Sequence, residues 1–336
     1  GKLFASAFGG DYMTGVVITL GVVLVYTVMG GFLAVSLTDF VQGCIMMLAL
    51  VIMPIVILTT QGGAGVDQAA ARLTAIDPDY LSMFKGVTLL GWISAMAWGL
   101  GYFGQPHIIV RFMAVRSVKD VPTARRIGMS WMIVSLIGAI AVGIFGRAYA
   151  ERTGLQVTDP ETIFIMLSDL LFHPLVTGFL YAALLAAIMS TVSSQLLVAS
   201  SSLTEDIYLT VFKRNATERE LVNVGRLAVL AVGAVAVLLA SNPNSEILGL
   251  VANAWAGFGA AFGPLIILAL TWKRMTGAGA VAGLVTGALV VILWIALGLS
   301  STIYEIVPGF IASWIAIVVV SLNTPDRGEY RAPKAG

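Results

Sequence analysis

Long apolar segments separated by short polar stretches run through most of this chain. Many of them reach about 20 residues, the length that an α-helix needs to cross the hydrocarbon core of a bilayer. We place such windows at about 12–33, 39–60, 87–113, 126–148, 175–202, 222–240, 246–271, 278–298 and 304–322. The pattern therefore predicts an all-α integral membrane protein with about nine transmembrane helices.

Two connections between these windows are longer than simple turns. Residues 61–86 carry several acidic residues among small ones, and residues 149–174 contain an amphipathic stretch over 160–172 that starts with Pro160. Pro is favourable at the first position of a helix, so we expect a short helix there. The stretch fits both a helix that lies flat on the membrane surface and an external lid over a pathway.

The composition supports a membrane protein. In this chain 58% of the residues are hydrophobic and only 11% are charged, whereas about a quarter of the residues of a soluble domain are charged. A net charge of +1, with no basic run among aromatic residues, gives no indication of a nucleic-acid partner. The single Cys44 cannot form an internal disulfide. No nucleophile–base pair or metal-ligand spacing stands out, so we do not expect an enzyme.

The distribution of Lys and Arg predicts the orientation of the helices, because short cytoplasmic loops carry an excess of positive charge. With the first residues outside, only five of the 19 basic residues are external: Lys2, Arg72, Lys85, Arg147 and Arg152. The other 14 then face the cytoplasm.

A cluster of hydroxyl groups lies in the middle of the window at 175–202. Ala187, Ser190 and Thr191 are spaced i, i+3 and i+4, so they share one helix face, and Ser193 and Ser194 follow. Two hydroxyl oxygens and a main-chain carbonyl suit a small hard cation. Alternatively, the hydroxyls bond back to carbonyls of their own helix or hold helices together.

The window at 87–113 contains helix-breaking residues at its centre. Three glycines and Pro106 surround Trp98, Tyr102 and Gln105, and Pro removes a donor and clashes with the preceding turn. Interrupted helices near the bilayer midplane indicate a transporter's binding site, because half-helix ends offer partial charges to a substrate. A zwitterionic amino acid suits such a site, and Trp255 in the window at 246–271 could also face the pathway. A proline-kinked packing helix is the alternative.

No carboxylate lies near the middle of any window. A proton pump normally carries an intramembrane acid relay, so the sequence favours sodium over protons as the coupling ion.

Three segments resemble the sodium/solute symporter family. YTVMGGFLA at 26–34 is similar to one family signature, and ALTWKRMTGAGAVAGLVTGAL at 269–289 is similar to a second. WGLGYFGQPHIIVRFMAVRS at 98–117 looks like the branch of the family that carries proline. The likeness extends over essentially the whole chain.

The resemblance implies the inverted-repeat fold that the family shares with leucine transporters. The chain would form one transmembrane domain over 1–336, with core helices four to ten at about 12–271, peripheral helices at about 278–322 and a cytoplasmic tail at 323–336. The first core helix would be missing. Since the chain also begins without Met, we expect a fragment that lacks its beginning.

The resemblance also implies roles for individual residues. Ala187, Ser190 and Thr191 would hold Na⁺, the coupling ion. Trp98, Tyr102 and Pro106 match positions linked to proline binding, to which the residue pattern adds Gln105 and Trp255. Asp39 and Arg111 match positions that affect transport.

We therefore expect a secondary active transporter that imports L-proline with Na⁺ by alternating access, in a bacterial cytoplasmic membrane, with no further cofactor. The alternatives are a symporter of another small organic solute, such as pantothenate or a carboxylate, and the membrane sensor half of a symporter-like histidine kinase. A passive channel fits less well. The oligomeric state stays open.

Overall fold

A computed structural model describes residues 1–60, 65–243 and 246–324. Within these ranges the regular structure is helical. The α-helices are α1 (Lys2–Phe8), α2 (Tyr12–Thr59), α3 (Gly65–Ile76), α4 (Leu89–Gly101), α5 (Pro106–Met113), α6 (Val121–Thr153), α7 (Ile163–Leu171), α8 (Pro174–Ser201), α9 (Glu218–Leu239), α10 (Ile247–Thr271), α11 (Gly277–Ala296) and α12 (Ile306–Asn323). Short 3₁₀ turns cover Tyr102–Gly104, Val118–Asp120, Pro160–Thr162 and Leu299–Ser301, and a π-helix continues α8 over Ser202–Phe212.

Seven of the described helical segments are long and apolar enough to cross a membrane. The difference from about nine windows has two causes. The first two windows both lie in α2, which the structure divides at Gly31, where φ is 56° and ψ is −154°. The window at 87–113 is broken into α4 and α5, each shorter than a bilayer crossing. The all-α multi-pass architecture predicted from the sequence is confirmed.

The described chain forms two compact units. The first comprises Gly1–Ser82 and Arg116–Asn244, and the second comprises Met83–Val115 and Ser245–Gly336. The predicted cation residues belong to the first unit, whereas the interrupted helix and Trp255 belong to the second.

In the first unit, the two arms of α2 have different neighbours. The first arm packs on α9, where a Cβ at Gly233 would lie 3.3 Å from the Leu24 side chain. The second arm packs on α6, and a core cluster joins Met53 of this arm to Leu167 of α7 and Leu180 of α8. Burying such side chains is the main favourable term in this packing.

The amphipathic stretch at 160–172 is a helix, as predicted. It starts as a 3₁₀ turn at Pro160 and continues as α7. Ile165 and Leu167 are buried against the protein, and the Thr177 hydroxyl of α8 donates a hydrogen bond to the Ser168 carbonyl at 2.9 Å. One apolar side of α7 is therefore covered by the spanning helices of its own unit.

In the second unit, glycines allow α11 to approach its neighbours closely. A Cβ at Gly283 would lie 2.7 Å from Ile317 Cδ1 of α12, and a Cβ at Gly287 would lie 2.8 Å from the Ala260 carbonyl carbon of α10. The hydrophobic driving force between helices is weak in lipid, because lipid tails are as apolar as the side chains. Small residues at such interfaces stabilise the contact instead by letting the helices pack closely. The three helices α10, α11 and α12 pack together, and α4 packs on α10 and α12.

Candidate functional site

The hydroxyl cluster of α8 brings three oxygen atoms together. The Ser190 and Thr191 hydroxyls both donate hydrogen bonds to the Ala187 carbonyl, at 3.0 Å and 3.1 Å. This is the back-bonding that the sequence offered as an alternative to cation binding. The two are compatible, because a hydroxyl that donates its hydrogen keeps acceptor lone pairs for a cation.

The surroundings of this cluster suit a site that is completed by other groups. Thr191 is exposed, and Ala187 and Ser190 are half-buried, while Ser193 and Ser194 on the next turn are buried. Three oxygens are fewer than a hard cation usually takes, and the open side of Thr191 leaves space for more. The arrangement therefore fits one half of a cation site.

Side chains from both arms of α2 hold α8 at this cluster and on the next turn. The Ser194 hydroxyl donates to the Asp39 carboxylate at 3.1 Å, and the Tyr26 hydroxyl donates to the Met189 carbonyl at 3.1 Å. Asp39, predicted to affect transport, thus lies one helical turn from Ser190. Sequence reasoning missed Tyr26, although a tyrosine inside an apolar window is a signal, because its hydroxyl needs a partner there.

The interruption of the window at 87–113 is confirmed. α4 ends at Gly101, a 3₁₀ turn follows, Gln105 is extended with φ −81° and ψ 111°, and Pro106 is the first residue of α5. The extended residue interrupts the ladder of helical hydrogen bonds, and Pro106 has no N–H to restore it.

The interrupted segment lies directly on the backbone of α10. A Cβ at Gly104 would be only 2.8 Å from Gly259 Cα and from the Phe258 carbonyl carbon. A Cβ at Gly101 would overlap the Trp255 indole. These two positions therefore need glycine because of the close approach.

Four of the five predicted substrate residues form one cluster around Trp255. The Trp98 and Trp255 rings stack with centroids 5.5 Å apart, and the Tyr102 ring meets Trp255 edge-on at 4.8 Å. The Trp255 indole N–H donates to the Trp98 carbonyl at 2.9 Å, and the Gln105 amide donates to the Trp255 carbonyl at 3.2 Å. Pro106 follows directly as the start of α5.

The members of this cluster differ in exposure. Gln105 is 4% exposed and Tyr102 is 42% exposed, so the tyrosine ring is the open face of the cluster and the glutamine amide is its buried support. Arg111 lies outside the cluster, in the last turn of α5. The cluster offers an aromatic wall next to main-chain groups of an interrupted helix.

Comparison with known proteins identifies related sequences. Residues 1–287 match the model of the sodium:solute symporter family. The high-affinity proline transporter PutP of Bacillus subtilis is 58% identical over 324 residues, 96% of this chain and 68% of that protein. The osmoregulated proline transporter OpuE of the same organism is 56% identical over 335 residues, 98% of this chain and 68% of OpuE. A Staphylococcus aureus sodium/proline symporter is 54% identical over 340 residues, 98% of this chain and 66% of that protein.

The fold has a counterpart among solved structures. A Na⁺-coupled sialic acid symporter in a substrate-bound, outward-open state matches with a TM-score of 0.76 over 94% of this chain and 68% of its own length. The sequence identity is 21%, so this likeness bears on the fold alone. It confirms the expected leucine-transporter-like arrangement.

Proposed function

Because the chain belongs to the sodium:solute symporter family, we propose that the protein imports L-proline together with Na⁺ by alternating access. One observation carries this proposal: three relatives named as proline transporters or symporters are 54–58% identical over at least 96% of this chain. These names favour proline over pantothenate or a carboxylate, and transport over catalysis. The membrane would be the cytoplasmic membrane of a bacterium.

The Na⁺ site that we propose consists of the Ala187 carbonyl and the Ser190 and Thr191 hydroxyls. Their convergence within 3.1 Å supports this assignment. These are uncharged oxygen ligands, which suit a hard cation. The Asp39 carboxylate one turn away adds a negative charge that favours a cation on this face of α8.

The substrate site that we propose is the aromatic cluster beside the interrupted helix. Trp98, Tyr102 and Trp255 offer an apolar wall for the pyrrolidine ring of proline. The ends of the interrupted helix offer main-chain groups of partial charge to the carboxylate and the ammonium group. Gln105 and Pro106 shape the interruption, and Arg111 lies in the last turn of the helix α5 that Pro106 begins.

Sodium coupling supplies enough free energy for accumulation. A membrane potential of 100 mV gives about 2.3 kcal/mol per charge, and a tenfold sodium gradient gives about 1.4 kcal/mol. Together, about 3.7 kcal/mol supports roughly 500-fold accumulation of a neutral solute. Na⁺ on α8 would favour the state that is open to the outside, and substrate on the cluster would permit closure.

The test is uptake of labelled proline by the full-length protein in vesicles, with and without an inward sodium gradient. We expect Thr191→Ala to abolish sodium-dependent uptake and Ser190→Ala to raise the sodium concentration needed for half-maximal uptake. Competition by pantothenate and by carboxylates tests the substrate.

Ser200→Ala is the matched control, because Ser200 also lies on α8 and its hydroxyl also bonds back, to the Leu197 carbonyl at 2.9 Å. It should keep the wild-type sodium dependence. If the Ser190 and Thr191 variants behave like this control, the cation assignment is wrong.

A further inference from the structure

The segment between α11 and α12 places an aromatic ring against the substrate cluster. The Tyr304 ring stacks on Trp98 with centroids 6.0 Å apart and an interplanar angle of 16°. The Trp98–Trp255 pair has nearly the same interplanar angle, 15°. Trp98 is therefore shared by two stacked pairs, and Tyr304 is the second ring that defines its plane.

Tyr304 is held from two sides. Its hydroxyl donates to the Ala252 carbonyl of α10 at 2.7 Å, and its backbone N–H donates to the Ser94 hydroxyl of α4 at 3.0 Å. Ala252 lies on the helix that carries Trp255, and Ser94 lies on the helix that carries Trp98. The residue thus connects the two helices whose indoles form the wall.

The contact is part of a well-packed interface. Two residues further on, Ile306 at the start of α12 is fully buried and belongs to a cluster with Ala97 of α4 and Ala256 of α10. The Trp294 indole N–H donates to the Ile303 carbonyl at 3.1 Å, which fixes the segment on its other side. A ring anchored in this way has little freedom to move apart from Trp98.

We propose that Tyr304 is a positioning residue for the substrate site: it fixes the plane of Trp98 and so sets the affinity and the ring-size selectivity of transport. It lies beyond residue 287, where the match to the family model ends. The proposal rests on the proposed function of the aromatic cluster. Stacking is directional as well as attractive, so loss of one ring lets the shared ring tilt.

The test measures proline KM and maximal rate, with competition by azetidine-2-carboxylate and pipecolate, which have one ring carbon fewer and one more. Tyr304→Leu removes the ring, and we expect KM to rise about two- to tenfold with little change in maximal rate. Discrimination between the three ring sizes should weaken. Tyr304→Phe keeps the ring and loses only the bond to Ala252, so its KM should lie between those values, with selectivity retained.

Trp314→Leu is the matched control, because Trp314 stacks on Phe310 within α12, at 6.2 Å, and not on Trp98. It should keep the wild-type KM and selectivity. Wild-type values in the Tyr304→Leu protein would overturn the positioning role. If that protein does not reach the membrane, Tyr304→Met, which also removes the ring, decides instead: a raised KM with weaker ring-size discrimination supports the role, and wild-type values overturn it. Absence of sodium-driven proline uptake by the wild type would instead refute the proposed function.

Discussion

Replacing Gly104 by alanine tests how closely the interrupted segment must approach α10. The added Cβ would lie 2.8 Å from Gly259 Cα and from the Phe258 carbonyl carbon, and closer still to the Phe258 oxygen. Carbon atoms in contact are normally about 3.5–4.0 Å apart. The obstacle is backbone, which cannot rotate away as a side chain can, so the segment must move by about 1 Å.

The expected cost follows from this displacement. Overpacking of this kind costs about 1–3 kcal/mol, which corresponds to roughly 5- to 150-fold in an equilibrium constant. The hydrogen bond from Gln105 to the Trp255 carbonyl, already 3.2 Å long, would be lost. We therefore expect the proline KM of Gly104→Ala to rise at least about fivefold.

Gly99→Ala is the matched control on the preceding turn of the same segment. In the described part of the chain, a Cβ at Gly99 meets nothing within 4 Å, and alanine favours a helix more than glycine does. Its proline KM should stay close to the wild-type value in the same vesicle uptake assay. A wild-type KM for Gly104→Ala, at normal abundance in the membrane, would refute the argument that this approach shapes the site.

Two further predictions concern the first unit. Gly31→Ala should lower the free energy of unfolding by about 1–3 kcal/mol, and with it the melting temperature, because φ 56° with ψ −154° suits only glycine, although nothing within 4 Å would clash with the added Cβ. Gly21→Ala, at an open helical position of the same helix, is the control. Equal melting temperatures for the two variants would contradict this reasoning. Lys2 forms ion pairs with Glu161 and, at 3.1 Å, with Asp159. The hydrogen bond to the Glu161 side chain and, to a lesser extent, the one to Asp159 raise the pKa of Lys2. The hydrogen bond from the Glu161 backbone N–H and, to a lesser extent, the one from Lys2 lower the pKa of Asp159. This stabilisation, roughly 0.2–1 kcal/mol for partly exposed charges, is complete between about pH 4 and pH 10 and is lost below and above that window. The melting-temperature difference between wild type and Lys2→Gln should therefore be constant from about pH 5 to 9 and shrink outside it, and a difference that is independent of pH over the whole range would exclude the ion pair as its cause.

Local signals in the sequence explain why the interruption of the window at 87–113 could be predicted. Pro106 and the glycines before it act on their own backbone, whatever packs around them. The convergence of Ser190 and Thr191 on Ala187 was predictable for a similar reason, since helical spacing alone fixes it. That these atoms bind Na⁺, and that the aromatic cluster binds proline, stay predictions.

Contacts between distant elements could not be read from the sequence. The stacking of Tyr304 on Trp98 depends on how α12 packs against α4, and no local pattern in residues 299–305 predicts it. The exposure of Thr191 beside the buried Ser193 depends likewise on which neighbours cover each face of α8. The single domain expected over 1–336 stays a prediction, and its expected cytoplasmic tail lies, from residue 325 onward, outside the described residues.

The attachment of α8 to both arms of α2 has a mechanical consequence. Tyr26 precedes the bend at Gly31 and Asp39 follows it, and each forms a hydrogen bond of 3.1 Å with α8. A slide of α8 by more than about 1 Å relative to either arm would break one of these two bonds. α8 and the two arms of α2 should therefore shift together, and an ion bound to α8 would restrain a much larger part of the protein than the few atoms it touches.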